Sequence, residues 1–343
     1  MNKIKKSVAL LIILVLSFSV ILTGCSSAVS NPSEQSNAQA PAQQEKPKDP
    51  EFIRIGTASL GGNYFPMGAA IATILQNDIP GIKPNAQATG GSAFNMTAIQ
   101  SGELEMGIIQ GPSVAAGVNG TGQFEGAKTD KVRTILNYNA TPQHIVVRAN
   151  LNVRSVQDLK GLKLEMIAAG DGVEVSTRNL LEALGISWDQ IKPQYSGNRV
   201  QAASRLKTGE VDGIIDATGI GSSWLIDVIG NEKFKLISLT DDEIKQVSSK
   251  YPEFSKIKIP AGSYQGQKED IYTVSSWTVL AVSESLSDEL VYNMTKALFD
   301  NKDALVEKHK YFKDLAPENI KDAVIAPMHP GALKYYKEKG ILN

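Results

Sequence analysis

The residues best able to do chemistry sit in short runs of glycine and small polar side chains, each between an apolar run and a helical pattern. Gly61 and Gly62 precede Asn63 and Tyr64. Ser92 and Asn95 follow Gly90 and Gly91, and Gln110 ends the apolar run 104–109. Asp171 with Gly172, and Thr218 with Gly219, take similar places further along. Glycine lets the backbone turn sharply and lets a ligand come close to the main chain. A helix that starts just after such a turn presents free N–H groups, which favour a carboxylate or another anion. Together these residues suit the holding of a small polar solute without reacting with it. Tyr64 either walls such a site or packs with Phe65 in the core.

Other chemistries are poorly served. A phosphate loop of the Walker kind needs Gly-Lys-Ser/Thr where Asn63 and Tyr64 stand, and the dinucleotide glycine spacing is missing. Three histidines and one cysteine build neither a zinc site nor a disulfide framework. No serine sits on a nucleophile elbow. His144 lies in a strand pattern, His309 in a charged helix, and His329 precedes Pro330 where it can cap the last helix. Asp171, Asp212 and Asp216 have no spacing that makes them an acid–base set. No enzymatic activity, cofactor or metal is expected. A formal net charge of −1 leaves no footprint for nucleic acid.

The elements that must position these residues follow from periodicity. Residues 52–55 suit a short buried strand. Pro66 fits the first turn of a helix whose apolar face is Met67, Ala70, Ile71, Ile74 and Leu75. Residues 86–89 read as a strand. Ser92 is placed to cap a helix that Gly102 stops, and 104–109 is the next strand. Residues 144–147 read as a strand able to cross between lobes, and 162–167 as a strand entering the Asp171 loop. Leu180, Leu181 and Leu184 give the following helix its apolar face. Helices are expected at 200–207, 242–249, 288–300 and 302–310, a return segment at 258–267, and a strand at 272–282. If the sheets are parallel, the small polar residues gather at the carboxyl ends of strands, where open α/β sheets bind ligands. One internal echo supports two lobes of similar make. Ser101-Gly102-Glu103-Leu104-Glu105-Met106-Gly107-Ile108-Ile109 is matched by Thr208-Gly209-Glu210-Val211-Asp212-Gly213-Ile214-Ile215.

The start of the chain reads as a targeting segment. Lys3, Lys5 and Lys6 precede an apolar run, 8–22, that ends in Leu22-Thr23-Gly24-Cys25. This resembles a bacterial lipoprotein signal, which would make Cys25 the lipidated first residue of the mature chain. Residues 26–50 carry mostly Ser, Asn, Gln, Ala and Pro, with Val29 as their only large apolar residue, as in a flexible tether. The expected location is the outer face of the bacterial cytoplasmic membrane.

Four further groups of residues carry a resemblance. They are Gly61-Gly62-Asn63-Tyr64-Phe65-Pro66, then Gly91-Ser92 with Asn95, then Tyr264-Gln265-Gly266-Gln267, then His329-Pro330-Gly331-Ala332 with Tyr335-Tyr336. From about residue 52 to 340 the chain resembles the TAXI solute-binding proteins of TRAP (tripartite ATP-independent periplasmic) transporters. The resemblance implies an α/β, two-lobed type II periplasmic-binding-protein fold with a cleft and a hinge. One lobe would be 52–142 with 268–343, and the other 143–267, after a signal at 1–24 and a tether at 25–51. It implies capture of a small polar solute, an amino acid or organic acid such as glutamate, for delivery to an ion-driven permease. An ATP-driven (ABC) importer or a ligand-sensing module for a membrane receptor would use a similar body. The implied ligand residues are Gly62, Asn63, Tyr64, Gly91, Ser92, Asn95, Gln110 and the loop that ends in Asp171, Gly172, Val173 and Glu174. Members commonly carry Gly-Ser-Gly-Thr-Glu in that loop, where this chain has Gly170-Asp171-Gly172-Val173-Glu174. A carboxylate facing the cleft repels an anion and accepts from an ammonium or hydroxyl. Asp171 either takes that role or only caps the helix that follows.

Overall fold

Three β–loop–α units in succession build the first part of the structure, a computed structural model that describes residues 51–343 apart from 61, 231–232 and 323–324. The signal, Cys25, the tether up to residue 50 and Gly61 lie outside the described residues. The units are β1 (Glu51–Gly56) with α1 (Tyr64–Asp78), β2 (Ile82–Gln87) with α2 (Ser92–Ser101), and β3 (Met106–Gln110) with α3 (Gly111–Asn119). β1 pairs in parallel with both β2 and β3. Parallel strands need crossover helices, so all three loops that leave the strands open on the same edge.

β4 (Val132–Arg148) is a 17-residue strand that carries the chain onward. Three more such units follow it: β5 (Lys163–Glu165) with α4 (Gly172–Ala183), β6 (Lys192–Gln194) with α5 (Arg199–Thr208), and β7 (Gly213–Ala217) with α6 (Ser223–Ile229). β5 pairs in parallel with β6 and β7. β8 (Phe234–Leu236), α7 (Asp241–Lys250) and β9 (Ser255–Ile259) lead to β10 (Ile271–Ser283), and α8 (Asp288–Asp300), α9 (Lys302–Lys308) and α10 (Pro330–Glu338) close the chain.

The strands run in the order β2-β1-β3-β10-β4-β7-β5-β6. β4 and β10 join the two halves. β4 pairs antiparallel with β10 over residues 132–142 and with β7 over 143–147. β10 pairs with β3 over 278–282 and with β9 over 271–275. Each half therefore hangs on the same two extended strands, which suit a hinge.

The internal echo is a structural repeat. Gly102 and Gly209 end α2 and α5 in the same left-handed conformation, each with φ 81° and ψ 14°. The strands that follow, β3 and β7, are buried throughout. Ile108 and Ile109 enter different apolar clusters, as do Ile214 and Ile215. That is the pattern of a parallel strand covered on both faces.

Several local expectations shift. Ser92 is the first helical residue of α2, and Gly91, at φ 96°, is its N-cap. The Ser92 hydroxyl accepts the Gln110 N–H at 3.1 Å instead. β2 begins at Ile82, earlier than 86, and α3 starts immediately after Gln110. α9 ends at Lys308, and His309 is extended, its Nδ1 accepting from the Tyr311 N–H. His329 does cap α10: its Nδ1 accepts from the Gly331 N–H while Nε2–H donates to the Leu286 carbonyl.

Candidate functional site

A cavity of about 170 Å³ lies where the two halves meet. All six loops that lead from a parallel strand to its helix contribute to it. They supply Ser59 and Asn63, Gly91 and Ser92, Gln110, Asp171 and Gly172, Arg199, and Thr218 and Gly219. Asn139 and Thr141 of β4 form its floor at the crossing, with Tyr311 at one side. An engineered cavity of about 150 Å³ is enough to take benzene, so this one suits one small solute.

The halves touch directly. A Cβ on Gly172 would lie 2.6 Å from Ser92 Oγ and 2.9 Å from Gln110 Cβ. Only glycine permits that approach between α4 and the ends of β3 and α2. Thr141 Oγ1 donates to the Ser276 carbonyl at 2.8 Å, and Thr273 Oγ1 to the Gln143 carbonyl at 2.9 Å, which ties the two crossing strands together.

Most of the ligand residues expected from the sequence line this cavity: Gly62, Asn63, Tyr64, Gly91, Ser92, Gln110, Asp171, Gly172, Val173, Thr218 and Gly219. Two do not. Asn95 is fully buried behind it; Nδ2 donates to the Thr57 and Ile108 carbonyls and Oδ1 accepts from Thr89 Oγ1. Its amide satisfies backbone groups at the ends of β1 and β3, with nothing left for a ligand. Glu174 points to the other side of α4, where its carboxylate accepts from the Gly170 N–H, Arg178 and Tyr195 Oη.

Asp171 takes the capping role. It is the N-cap of α4, and its Oδ1 accepts from the Val173 and Glu174 N–H groups at 2.9 and 3.0 Å. It also lines the cavity. Burial pushes its pKa up to about 7, against the lowering effects of those N–H groups and of Arg199. A strongly shifted group in a cleft is a mark of a functional site.

Arg199 and Tyr311 were not anticipated. Arg199 opens α5, faces the cavity and holds the fully buried Asp216 through two hydrogen bonds, 2.9 Å from Nε to Oδ2 and 2.8 Å from Nη2 to Oδ1. Burial works against its charge, yet the Asp216 carboxylate more than offsets this and raises its pKa. The available signal was Asn198, which caps α5 by accepting from the Gln201 N–H. It marks a sixth helix start at the cleft. Burial holds Tyr64 at about 12, so its hydroxyl is neutral; that hydroxyl lies 3.3 Å from Thr278 Oγ1. Among the described residues no group of three or more His, Cys, Asp or Glu could hold a metal ion, and no helix is long and apolar enough to cross a membrane.

The fold is that of type II periplasmic-binding proteins, an α/β architecture of two halves on crossing strands. Residues 55–340 match the NMT1-like family, and the chain belongs to that family. The Xanthomonas citri protein XAC2383, solved bound to ATP, is similar at TM-score 0.51 and 10% identity over 84% of this chain and 98% of that one. A putative L-cystine ABC transporter protein from Listeria monocytogenes aligns at TM-score 0.49 and 15% identity, over 78% of this chain and 98% of its own. The probable amino-acid ABC transporter extracellular-binding protein YtmK of Bacillus subtilis aligns at TM-score 0.46 and 15% identity, over 78% and 100%. At these identities the likeness is one of fold.

Proposed function

We propose that the protein is an extracytoplasmic solute-binding protein that closes its two halves on one small polar solute and delivers it to a membrane permease. The observation that carries this is the cavity itself: six strand-to-helix loops, three from each half, converge on a space sized for one small molecule. The lobes we assign are 52–142 with 268–343, and 143–267. They share only the β4 and β10 crossings as extended connections, so a rotation there opens the cleft. The solute class is an amino acid or organic acid. Its contacts are drawn from Gly62, Asn63, Tyr64, Gly91, Ser92, Gln110, Asp171, Gly172, Val173, Thr218 and Gly219, with Arg199 added. The geometry supports binding rather than turnover: His144, the histidine nearest the crossing, is fully buried and has both ring nitrogens engaged.

We assign the permease to the TRAP type, on the residues that resemble the TAXI proteins. His329 capping α10 at the Pro330-Gly331 start agrees with that motif. An ATP-driven importer is the alternative. Anchoring is assigned to a lipid on Cys25. A thermal-shift screen of the mature chain against amino acids, organic acids and sugars tests the binding step, because a ligand that binds only the folded state raises the melting point. Uptake of the solute by intact cells then separates the permeases. Loss on collapse of the ion gradient supports the TRAP assignment, and loss only on ATP depletion overturns it.

A further inference from the structure

We infer that the cavity contains a cation subsite, built by Asp171 from one half and Gln110 from the other, that takes a primary ammonium group of the solute. This rests on the solute-binding reading above and names the chemistry of that solute.

Two residues of the cavity wall each have a side-chain oxygen that accepts no hydrogen bond. Asp171 uses Oδ1 for both cap hydrogen bonds, and Oδ2 has no hydrogen-bond partner among the described residues. Gln110 is 4% exposed, and its buried Oε1 accepts no hydrogen bond. Buried polar atoms are nearly always paired, so an unpaired oxygen on a residue that lines the cavity calls for a donor that a small turn of the side chain would meet. Gly172, next to Asp171 in the chain, packs against Gln110: a Cβ on it would lie 3.0 Å from Gln110 Cδ. They belong to opposite halves, so a donor that bridges them also holds the halves closed.

Charge points the same way. The charged and titratable side chains on the cavity wall are Asp171, Arg199, Tyr64 and Tyr311. Arg199 has Nε and Nη2 committed to the two oxygens of Asp216, so that pair is neutral as a unit. Burial raises both phenols, which stay uncharged. Asp171 feels the Arg199 charge through space, but no side chain donates a hydrogen bond to it. A carboxylate set against it is repelled, whereas an ammonium supplies three N–H donors and the opposite charge. A solute with an amine and, elsewhere, a carboxylate or hydroxyl fits; a dicarboxylate without an amine does not.

The test is isothermal titration of the mature chain at about pH 8, where Asp171 is ionised. The probes are the common amino acids, ornithine and putrescine, each paired with its deaminated counterpart, with glutarate and 2-oxoglutarate included. The expected result is that every ligand found carries a primary amine and that its amine-free counterpart binds about tenfold or more weakly. Asp171→Asn, which retains a capping oxygen, lowers affinity for the amine by about tenfold or more, and Gln110→Leu lowers it as well. Equal binding of the amine-free counterpart overturns the subsite, as does an Asp171→Asn variant with unchanged affinity; both leave solute binding standing. If no probe of either kind binds, the solute-binding reading falls and the subsite with it.

Discussion

Arg199 and Asp216 form a two-point ion pair between the start of α5 and the end of β7, with Arg199 on the cavity wall and Asp216 fully buried. Breaking one side of a buried pair leaves a charge without compensation, which costs about 3–5 kcal/mol. Arg199→Leu is therefore expected to lower unfolding stability by about that amount. Removing both charges, Arg199→Leu with Asp216→Leu, should recover most of it. Urea denaturation of the three proteins checks this. A single variant as stable as the parent would show that water reaches Asp216.

His144 gives a pH dependence whose direction is set by burial. Its Nδ1–H donates to the Pro142 carbonyl at 3.0 Å, and Nε2 accepts from Tyr264 Oη at 2.8 Å. Burial lowers its pKa to about 4, against the raising effect of nearby Asp216. The unfolded chain takes up this proton near pH 6.5, before the folded one does. Stability from this group is therefore whole above about pH 6.5 and is lost as pH falls toward 4, by about 3 kcal/mol in all. His144→Gln, which cannot protonate, should remove this loss in melts run between pH 7 and 5.

Asp171 acts in the opposite sense over nearly the same window. Its folded pKa is raised to about 7 from 3.8, so the folded state holds a proton that the unfolded chain has lost. Stability then falls as pH rises from about 4 to 7, by on the order of 2 kcal/mol once partial contact with water is allowed for. The parent protein should show a flat profile because His144 and Asp171 oppose each other. Asp171→Asn should expose the His144 slope and be more stable than the parent at about pH 8. A variant that is less stable there would mean that the carboxylate cap outweighs its burial.

Gly172→Ala should separate closure from folding. The nearest atoms the added methyl would meet, on Ser92 and Gln110, belong to the other half, so it bears on the closed form. Overpacking of this kind costs about 1–3 kcal/mol, which predicts solute affinity down by about tenfold or more with the melting point of the free protein little changed. Small-angle scattering should show a more open average shape. Unchanged affinity would mean that the halves close less tightly around solute than in this structure.

Asn95→Ala tests a residue that sequence proximity to the cleft marked as a ligand contact. It leaves the Thr57 and Ile108 carbonyls without their donor, and the expected loss is about 2–4 kcal/mol of stability. Solute affinity measured well below the lowered melting point should change little. A large affinity loss with full stability would return Asn95 to the site.

The parts legible in advance were those with a local cause. Gly102 and Gly209 announced two helix ends and two buried strands, because a left-handed residue after a helix is nearly always glycine. His329 before Pro330 announced a cap. Asp171 offered a cap or a carboxylate in the cleft as alternatives, and the cap followed from its position one residue before a helix. The placing of Asn95 behind the cavity had a local cause too. In sequence it stands beside the Gly91 turn, but the first turn of α2 directs its side chain back under β1 and β3, where two carbonyls needed a donor. Ser92 failed as a cap because its hydroxyl found the Gln110 N–H, 18 residues away.

By itself the sequence determined the alternation of strands, glycine turns and amphipathic helices, the doubling of that pattern, and the strand-end placing of Asn63, Ser92, Gln110, Asp171 and Thr218. These depend on spacing and backbone preference, which act over a few residues. Only the tertiary structure decided which loops face each other across the cavity. It set Arg199 on Asp216, Gly172 against Gln110, and Tyr311 beside Gly219. Those pairings depend on how β4 and β10 bring the two halves together, and their energies come from burial and charge at distances that chain order does not encode.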